Sequence, residues 1–318
     1  MHGVRKTCGE PRRLAAALLV LLATLPAVVG CARPRDQVTV PPRVDPGALV
    51  LDAVAGLSPQ GPYRDPTRAE RARAREAVEP LLTSGSGGGE ASLTDLAFRE
   101  IHGVDPVTGR PFLLYVDDSE DRGWGTVLID RSMPVRLVVQ VPHPRSDIDT
   151  EVIGVDLHRS VPGSVLLVAG AHRAAADGDA DVAHNDRSLF HVLATEFARK
   201  GVPAIQLHGF ADRNLPDAEA VVSSAAAPVT DLTRAVADRL AAAGITACRA
   251  WAKRCGRLEG TTNEQGRAAA RHAPFVHLEL SWSVRSDPVR RERAVEAVAA
   301  LFATGDYTRR AVRHLTAQ

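Results

Sequence analysis

Val135-Arg136-Leu137-Val138-Val139-Gln140-Val141-Pro142-His143-Pro144-Arg145-Ser146-Asp147-Ile148-Asp149-Thr150-Glu151 is an apolar run that breaks into polar residues at a proline. Seven residues rich in branched side chains read as a buried strand, and Pro142 ends it. The acidic residues that follow stand where a helix opens, because a carboxylate there accepts backbone N–H groups that have no partner within the helix. A histidine therefore leaves a strand end, and carboxylates begin the next helix.

Working outward from this stretch, short apolar runs alternate with helical patterns. Strands are expected over 112–116 and 126–129, joined as a hairpin across an acidic turn, and over 135–141, 164–169, 203–207, 245–251 and 275–280. Helices are expected over 64–82, 149–159, 186–200, 231–243 and 288–304. In the third of these helices Leu189, Phe190, Leu193 and Phe197 share one face, and the fourth starts at Thr230-Asp231 and stops at Gly244. Strands that take turns with helices imply an α/β fold, with a mostly parallel or mixed central sheet flanked by helices. Ligands in such sheets sit at the carboxyl ends of the strands.

The 318 residues are 45% apolar and 24% charged, ordinary values for a folded chain. With 39 Lys+Arg against 38 Asp+Glu the formal charge is +1, so no global field attracts nucleic acid. The N-terminus differs from the rest. Arg5, Lys6, Arg12 and Arg13 precede an uncharged run from Leu14 to Gly30, followed by Cys31. This order resembles a bacterial lipoprotein signal over residues 1–30, which implies lipid on Cys31 and an extracytoplasmic, envelope-anchored chain. Pro-rich residues 31–47 read as an extended tether, and 48–90 as a helical and linker region ending in the Gly/Ser break at 83–89. Residues 91–318 read as the catalytic α/β domain. Cys8 leaves with the signal and Cys31 carries lipid, so Cys248 and Cys255 remain as the pair for a disulfide in an oxidising compartment.

Further strand ends carry similar chemistry. The 164–169 strand leads to His172-Arg173, the 203–207 strand to His208-Gly209-Phe210, and the last strand holds His277, Glu279 and Ser281 with Arg285 soon after. Any one of these histidines reads equally as a core or capping residue. Their repetition along one sheet edge points to a convergent cluster, as a metal hydrolase needs: neutral imidazole and carboxylate hold the ion, and a nearby carboxylate takes a proton. His143 with its carboxylates, Gln206-Leu207-His208 and His277-Leu278-Glu279-Leu280-Ser281 together resemble the carboxypeptidase A-like zinc hydrolase superfamily, in its poly-γ-glutamate hydrolase-like and deacylase-like branches. The resemblance covers about 135–285. It implies one zinc per chain, held by His143, His208 and an acid, with Glu279 as general base acting on an amide bond in a peptide or small acyl-amino acid. The superfamily places Glu three residues after its first His, where this chain has Ser146. Asp147 and Glu151 are the acids available. Glu151 is ranked slightly ahead, because Asp147 or Asp149 can serve as the helix cap.

Arg173 and Arg285 are the candidates to hold an acidic group of the substrate. His172, His184 and Asn185 flank a loop rich in Ala, Gly and Asp that is placed to close over a substrate. Asn263 is a candidate for hydrogen-bonding the substrate, although capping the next helix explains it as well. Strand alternation puts His277 and Glu279 on one face of their strand, with an ion pair from Arg267 or Arg285 as the structural alternative for Glu279. The acidic loop lacks the EF-hand pattern. There is no Gly-x-Ser-x-Gly elbow, which disfavours a serine esterase, and no phosphate-binding glycine loop. A non-catalytic surface-binding lipoprotein is the remaining rival.

Overall fold

The computed structural model describes residues 41–82 and 92–303. The export segment, Cys31 and the 83–89 break lie outside the described residues. Among the described residues no helix is long and apolar enough to cross a membrane.

Helix α1 (Pro46–Ala55) begins where the tether was expected to run on. Asp45 accepts the backbone N–H of Ala48, and Pro46 occupies a first-turn position whose missing N–H costs nothing, so the proline starts a helix here. Helix α2 (Arg68–Leu81) is fixed by a Thr67/Glu70 capping box. It starts later than expected because Arg64 leaves the helical path to pair with Glu70 and stack on Trp124. Both helices pack into the main body: Val50 and Val54 join one core, and Ala74, Ala77, Val78 and Leu81 the other. The expected division at residue 90 therefore does not separate two bodies.

Strands β1 (Arg99–Val104), β2 (Pro111–Val116), β3 (Thr126–Asp130) and β4 (Leu137–Val141) precede helix α3 (Thr150–Ser160). Then come β5 (Ser164–Val168), α4 (Leu189–Arg199), β6 (Ala204–Phe210), β7 (Ala220–Ser223), α5 (Asp231–Ala242) and β8 (Ala247–Arg249). The chain continues through α6 (Glu264–Ala269), β9 (Phe275–Ser281), α7 (Trp282–Arg285) and α8 (Pro288–Ala303). The β2–β3 hairpin and the Thr230 cap match expectation. Strands β1 and β7 were not foreseen. β1 is a mostly exposed edge strand without an apolar run, and β7 is only four residues long.

The nine strands form one sheet in the order β1-β2-β3-β5-β4-β6-β9-β7-β8. Its centre, β5-β4-β6-β9, is parallel, and antiparallel pairs flank that centre, so the fold is α/β with a mixed sheet. Alternate side chains feed two apolar layers. One joins Val139, Val141, Ile205, Leu207, Val276 and Leu278 to α1, α3, α5 and α8. The other joins Val138, Leu167, Ala204 and Phe275 to α2, α4 and α6. Cys248 and Cys255 are bonded as a disulfide. β4, β6 and β9 are direct neighbours, which brings their carboxyl ends together.

Candidate metal centre

His143 leaves the end of β4, whereas His208 lies within β6, which continues to Phe210 instead of ending at residue 207. Alternation on β9 sends Val276, Leu278 and Leu280 into the α3/α8 core and turns His277 and Glu279 to the opposite face, as expected. The register sets His208 against Glu279 and Gln206 against His277.

One carboxylate oxygen lies between two imidazoles. Asp147 Oδ2 is 3.1 Å from His143 Nδ1 and 3.3 Å from His208 Nδ1. These three buried residues present ligand atoms within 4.8 Å of one another, and so do His208, His277 and Glu279. His208 stacks on His277 with ring centroids 4.3 Å apart. The far nitrogen of His143, Nε2, is 2.8 Å from Asp181 Oδ1. A carboxylate can only accept, so this Nε2 carries a proton, the arrangement that orients a histidine ligand in metal sites. Arg173 Nη2 donates to the other Asp181 oxygen at 2.5 Å, and His184 Nδ1 lies 3.1 Å from Asp181 Oδ1.

The charges are consistent with this geometry. Burial alone would lower His143, yet hydrogen bonds to Asp147 and Asp181 hold it above the usual histidine value. Burial would raise Asp147 and Asp181, but their histidine partners hold both well below the carboxylate range. Burial pushes His208 down to about 4 and His277 well below its ordinary value. Burial, with Asp147 close by, pushes Glu279 up to about 8.

Two imidazole nitrogens and a carboxylate oxygen, buried and converging, form the donor set of a three-ligand zinc site. His143 Nδ1 and Asp147 Oδ2 face each other at 3.1 Å, and a divalent ion would be held between them. The residues present therefore fit a metal ion.

Asp147, not Glu151, is the acid at the cluster. Glu151 turns toward Arg145, 3.8 Å away, and its Oε2 is buried without a hydrogen-bond partner. The spacing explains the choice: His143 C=O begins a tight turn in which it accepts from Asp147 N–H, so the residue four positions on returns to His143. Asp149, in the left-handed region at φ 69°, makes no side-chain cap. Arg285 is buried, and its guanidinium donates to the carbonyls of Leu280, Ile148 and Phe210. It braces the strand ends and is not placed to grip a substrate. A Cβ on Gly209 would meet that guanidinium at 2.4 Å, which accounts for the glycine after His208.

Asn185 is engaged by Tyr63, Asp65 and the Asp179 carbonyl, and stays away from the cluster. His172 accepts from the Ala174 N–H, and Asn263 caps α6 while donating to Gln206. Arg173 reaches the site, with Nη1 3.4 Å from His143 Nδ1. From the sequence, His277 is placed in the cluster and on the Glu279 face without a role of its own, and Asp181 and Gln206 are given none. Asp181 is one of several acids in its loop, so nothing local distinguishes it. Gln206 sits two residues before His208 on the same strand face, the period-two signal that already pairs His277 with Glu279 and that would have found it.

No family model and no curated protein matches the chain. Among solved structures, N-formylglutamate amidohydrolase from Ralstonia eutropha JMP134 is similar at 13% identity and a TM-score of 0.40, over 63% of this chain and 99% of that one. A bacteriophage poly-gamma-glutamate hydrolase is similar at 18% identity and a TM-score of 0.39, over 54% and 84%. The catalytic domain of an N-acetylmuramoyl-L-alanine amidase from Bacillus (Paenibacillus) polymyxa var. colistinus is similar at 11% identity and a TM-score of 0.33, over 54% and 98%.

Proposed function

We propose that this chain is an exported, lipid-anchored, zinc-dependent hydrolase of amide bonds. One observation carries the reading: His143 Nδ1, His208 Nδ1 and Asp147 Oδ2 converge on one point while an unpaired carboxyl group, Glu279, stands beside them. Three protein ligands leave a position open, and zinc held there supplies a Lewis acid that polarises a carbonyl and acidifies water. Asp181 holds the Nε2 proton of His143 and so fixes that ring. Glu279 is the proton carrier: its Oε2 has no hydrogen-bond partner, and neither arginine weighed for it pairs with it, since Arg267 meets Glu264 and Arg285 meets carbonyl oxygens. Arg173, half exposed beside His143, is the cation placed to meet an acidic group of a peptide or acyl-amino acid substrate.

A surface-binding lipoprotein would have no use for a buried, unpaired carboxyl at the ligands, because burial of such a group costs stability unless chemistry needs it. Nor does a serine nucleophile emerge among the described residues: the buried Ser–His pair there, Ser164 Oγ and His158 Nδ1 at 2.9 Å, is inaccessible, and the hydroxyl donates its proton to the His158 carbonyl.

Elemental analysis of purified protein tests the metal, with about one zinc per chain expected. Hydrolysis of a panel of N-acyl amino acids and short peptides, lost on chelation and regained with zinc, tests the activity. Metal-free protein that is inert on the whole panel sinks the reading. Cys31→Ser should abolish lipid labelling and membrane-fraction recovery, and full-length chain in the cytosol would overturn the export proposal.

A further inference from the structure

A layer of buried amides lies beneath the cluster. Gln206 Oε1 is 2.8 Å from His208 Nε2 and 2.5 Å from Asn263 Nδ2, while Gln206 Nε2 is 2.9 Å from Gln140 Oε1 and 3.1 Å from Gln265 Oε1. Gln140, Gln206, Asn263 and Gln265 are each at most 2% exposed. Four amides inside a sheet–helix interface are costly unless every donor and acceptor is matched.

Backbone atoms at two ends set the direction of these amides. Gly266 N–H can only donate, and it donates to Asn263 Oδ1 at 2.8 Å, so Asn263 must turn its NH₂ toward Gln206. The Val182 carbonyl can only accept, and it accepts from Gln265 Nε2 at 2.8 Å, so Gln265 turns its oxygen toward Gln206. Gln206 must then present NH₂ to Gln265 and Gln140, and its oxygen to Asn263 and His208. A carbonyl oxygen cannot donate, so His208 Nε2 carries the hydrogen. A neutral imidazole protonated at Nε2 keeps its lone pair at Nδ1, the atom that faces Asp147.

We infer that Gln206 is a positioning residue that locks His208 in the Nε2–H tautomer and so delivers Nδ1 as a metal ligand. Gln206 and His208 are two residues apart on β6, and the pleat stacks them on one face, which makes the strand itself the device that holds ring and lock in register. The two histidine ligands are thus fixed differently, His143 by the carboxylate of Asp181 and His208 by an amide whose direction is relayed from the backbone of residues 182 and 266. The inference deepens the metal-hydrolase reading and rests on it for its purpose, while the tautomer can be tested without metal.

The experiment is a long-range ¹H–¹⁵N correlation spectrum of the His208 ring in metal-free wild-type chain at neutral pH, together with zinc affinity from chelator competition. Wild type should show the Nε2–H pattern, and an Nδ1–H pattern would overturn the inference even if no variant folds. Gln206→Met, similar in length but without an acceptor, should lose the single-tautomer signature and weaken zinc binding about 10- to 100-fold. Gln206→Glu keeps an acceptor toward Nε2 but sets its second oxygen against Gln140 Oε1 and Gln265 Oε1, so it should recover the single-tautomer signature without the full zinc affinity. Gln206→Met with an unchanged ring spectrum and wild-type zinc affinity refutes the role. Wild-type chain that shows the Nε2–H tautomer but binds no zinc would instead defeat the proposed function and the ligand purpose with it, leaving the tautomer lock standing.

Discussion

Replacing Glu279 with Gln should make the metal-free protein more stable and the zinc-loaded protein nearly inactive. Glu279 is 8% exposed, its Oε2 has no partner, and burial raises its carboxyl from 4.5 to about 8. The folded state therefore binds a proton that the unfolded chain has released, so stability falls as pH rises from about 4.5 to 8. At about 1.36 kcal/mol per pH unit, the penalty is roughly 3 kcal/mol at pH 7, from (7 − 4.5) units, and roughly 5 kcal/mol above pH 8. Gln has the same shape and cannot ionise, so it removes that slope at the expense of about 1 kcal/mol for an imperfectly paired amide. Near pH 7 the net gain is about 2 kcal/mol, which for a body of this size raises Tm by roughly 4–8 °C. Melting curves of metal-free wild type and Glu279→Gln at about pH 5, 7 and 9 read the effect directly, since the gap between them should widen with pH. In the zinc-loaded enzyme the same change should lower turnover by roughly two to four orders of magnitude. A Glu279→Gln protein that melts lower than wild type by a pH-independent margin would show that Glu279 is ion-paired. A stabilised variant with full turnover would remove it as the base.

Other outcomes follow from the same geometry. Asp147→Asn should abolish stoichiometric zinc while Glu151→Gln retains it, and metal analysis showing the reverse would reinstate Glu151 as the ligand. Arg285→Met strands the buried carbonyls of Leu280 and Phe210 and releases that of the exposed Ile148, and should cost about 3 kcal/mol in denaturant unfolding without changing KM for an acidic substrate; unchanged stability with a raised KM would return Arg285 to the substrate. His158, buried and depressed to about 4, binds fewer protons folded than unfolded between about pH 4 and 6.5. Its stability contribution, roughly 3 kcal/mol, should be complete above pH 6.5 and vanish as pH falls to 4. In His158→Asn the urea midpoint should depend less steeply on pH across that window, and an unaltered dependence would refute the assignment.

Much of the architecture is local and was legible in the chain. Runs such as Ser164–Val168 are buried on both faces and so read as continuous apolar stretches, and caps such as Thr230 mark helix starts through their own hydrogen bonds. The strand-end position of His143, and the common face of His277 and Glu279, follow from the same short-range rules. Strand order is a tertiary fact: β4, β6 and β9 become neighbours only because β5 passes to the far side of β4 and β9 inserts between β6 and β7. That order decided that His208 meets the His143–Asp147 pair, that an aspartate 38 residues away orients His143, and that Arg285 is used up on backbone carbonyls. A sequence specifies which groups can donate or accept, and the chain's return path specifies which partner each one meets. For Asp181, one acid among several in its loop, and for Gln206, whose role depends on carbonyl and amide groups at residues 182 and 266, only that return path carries the information.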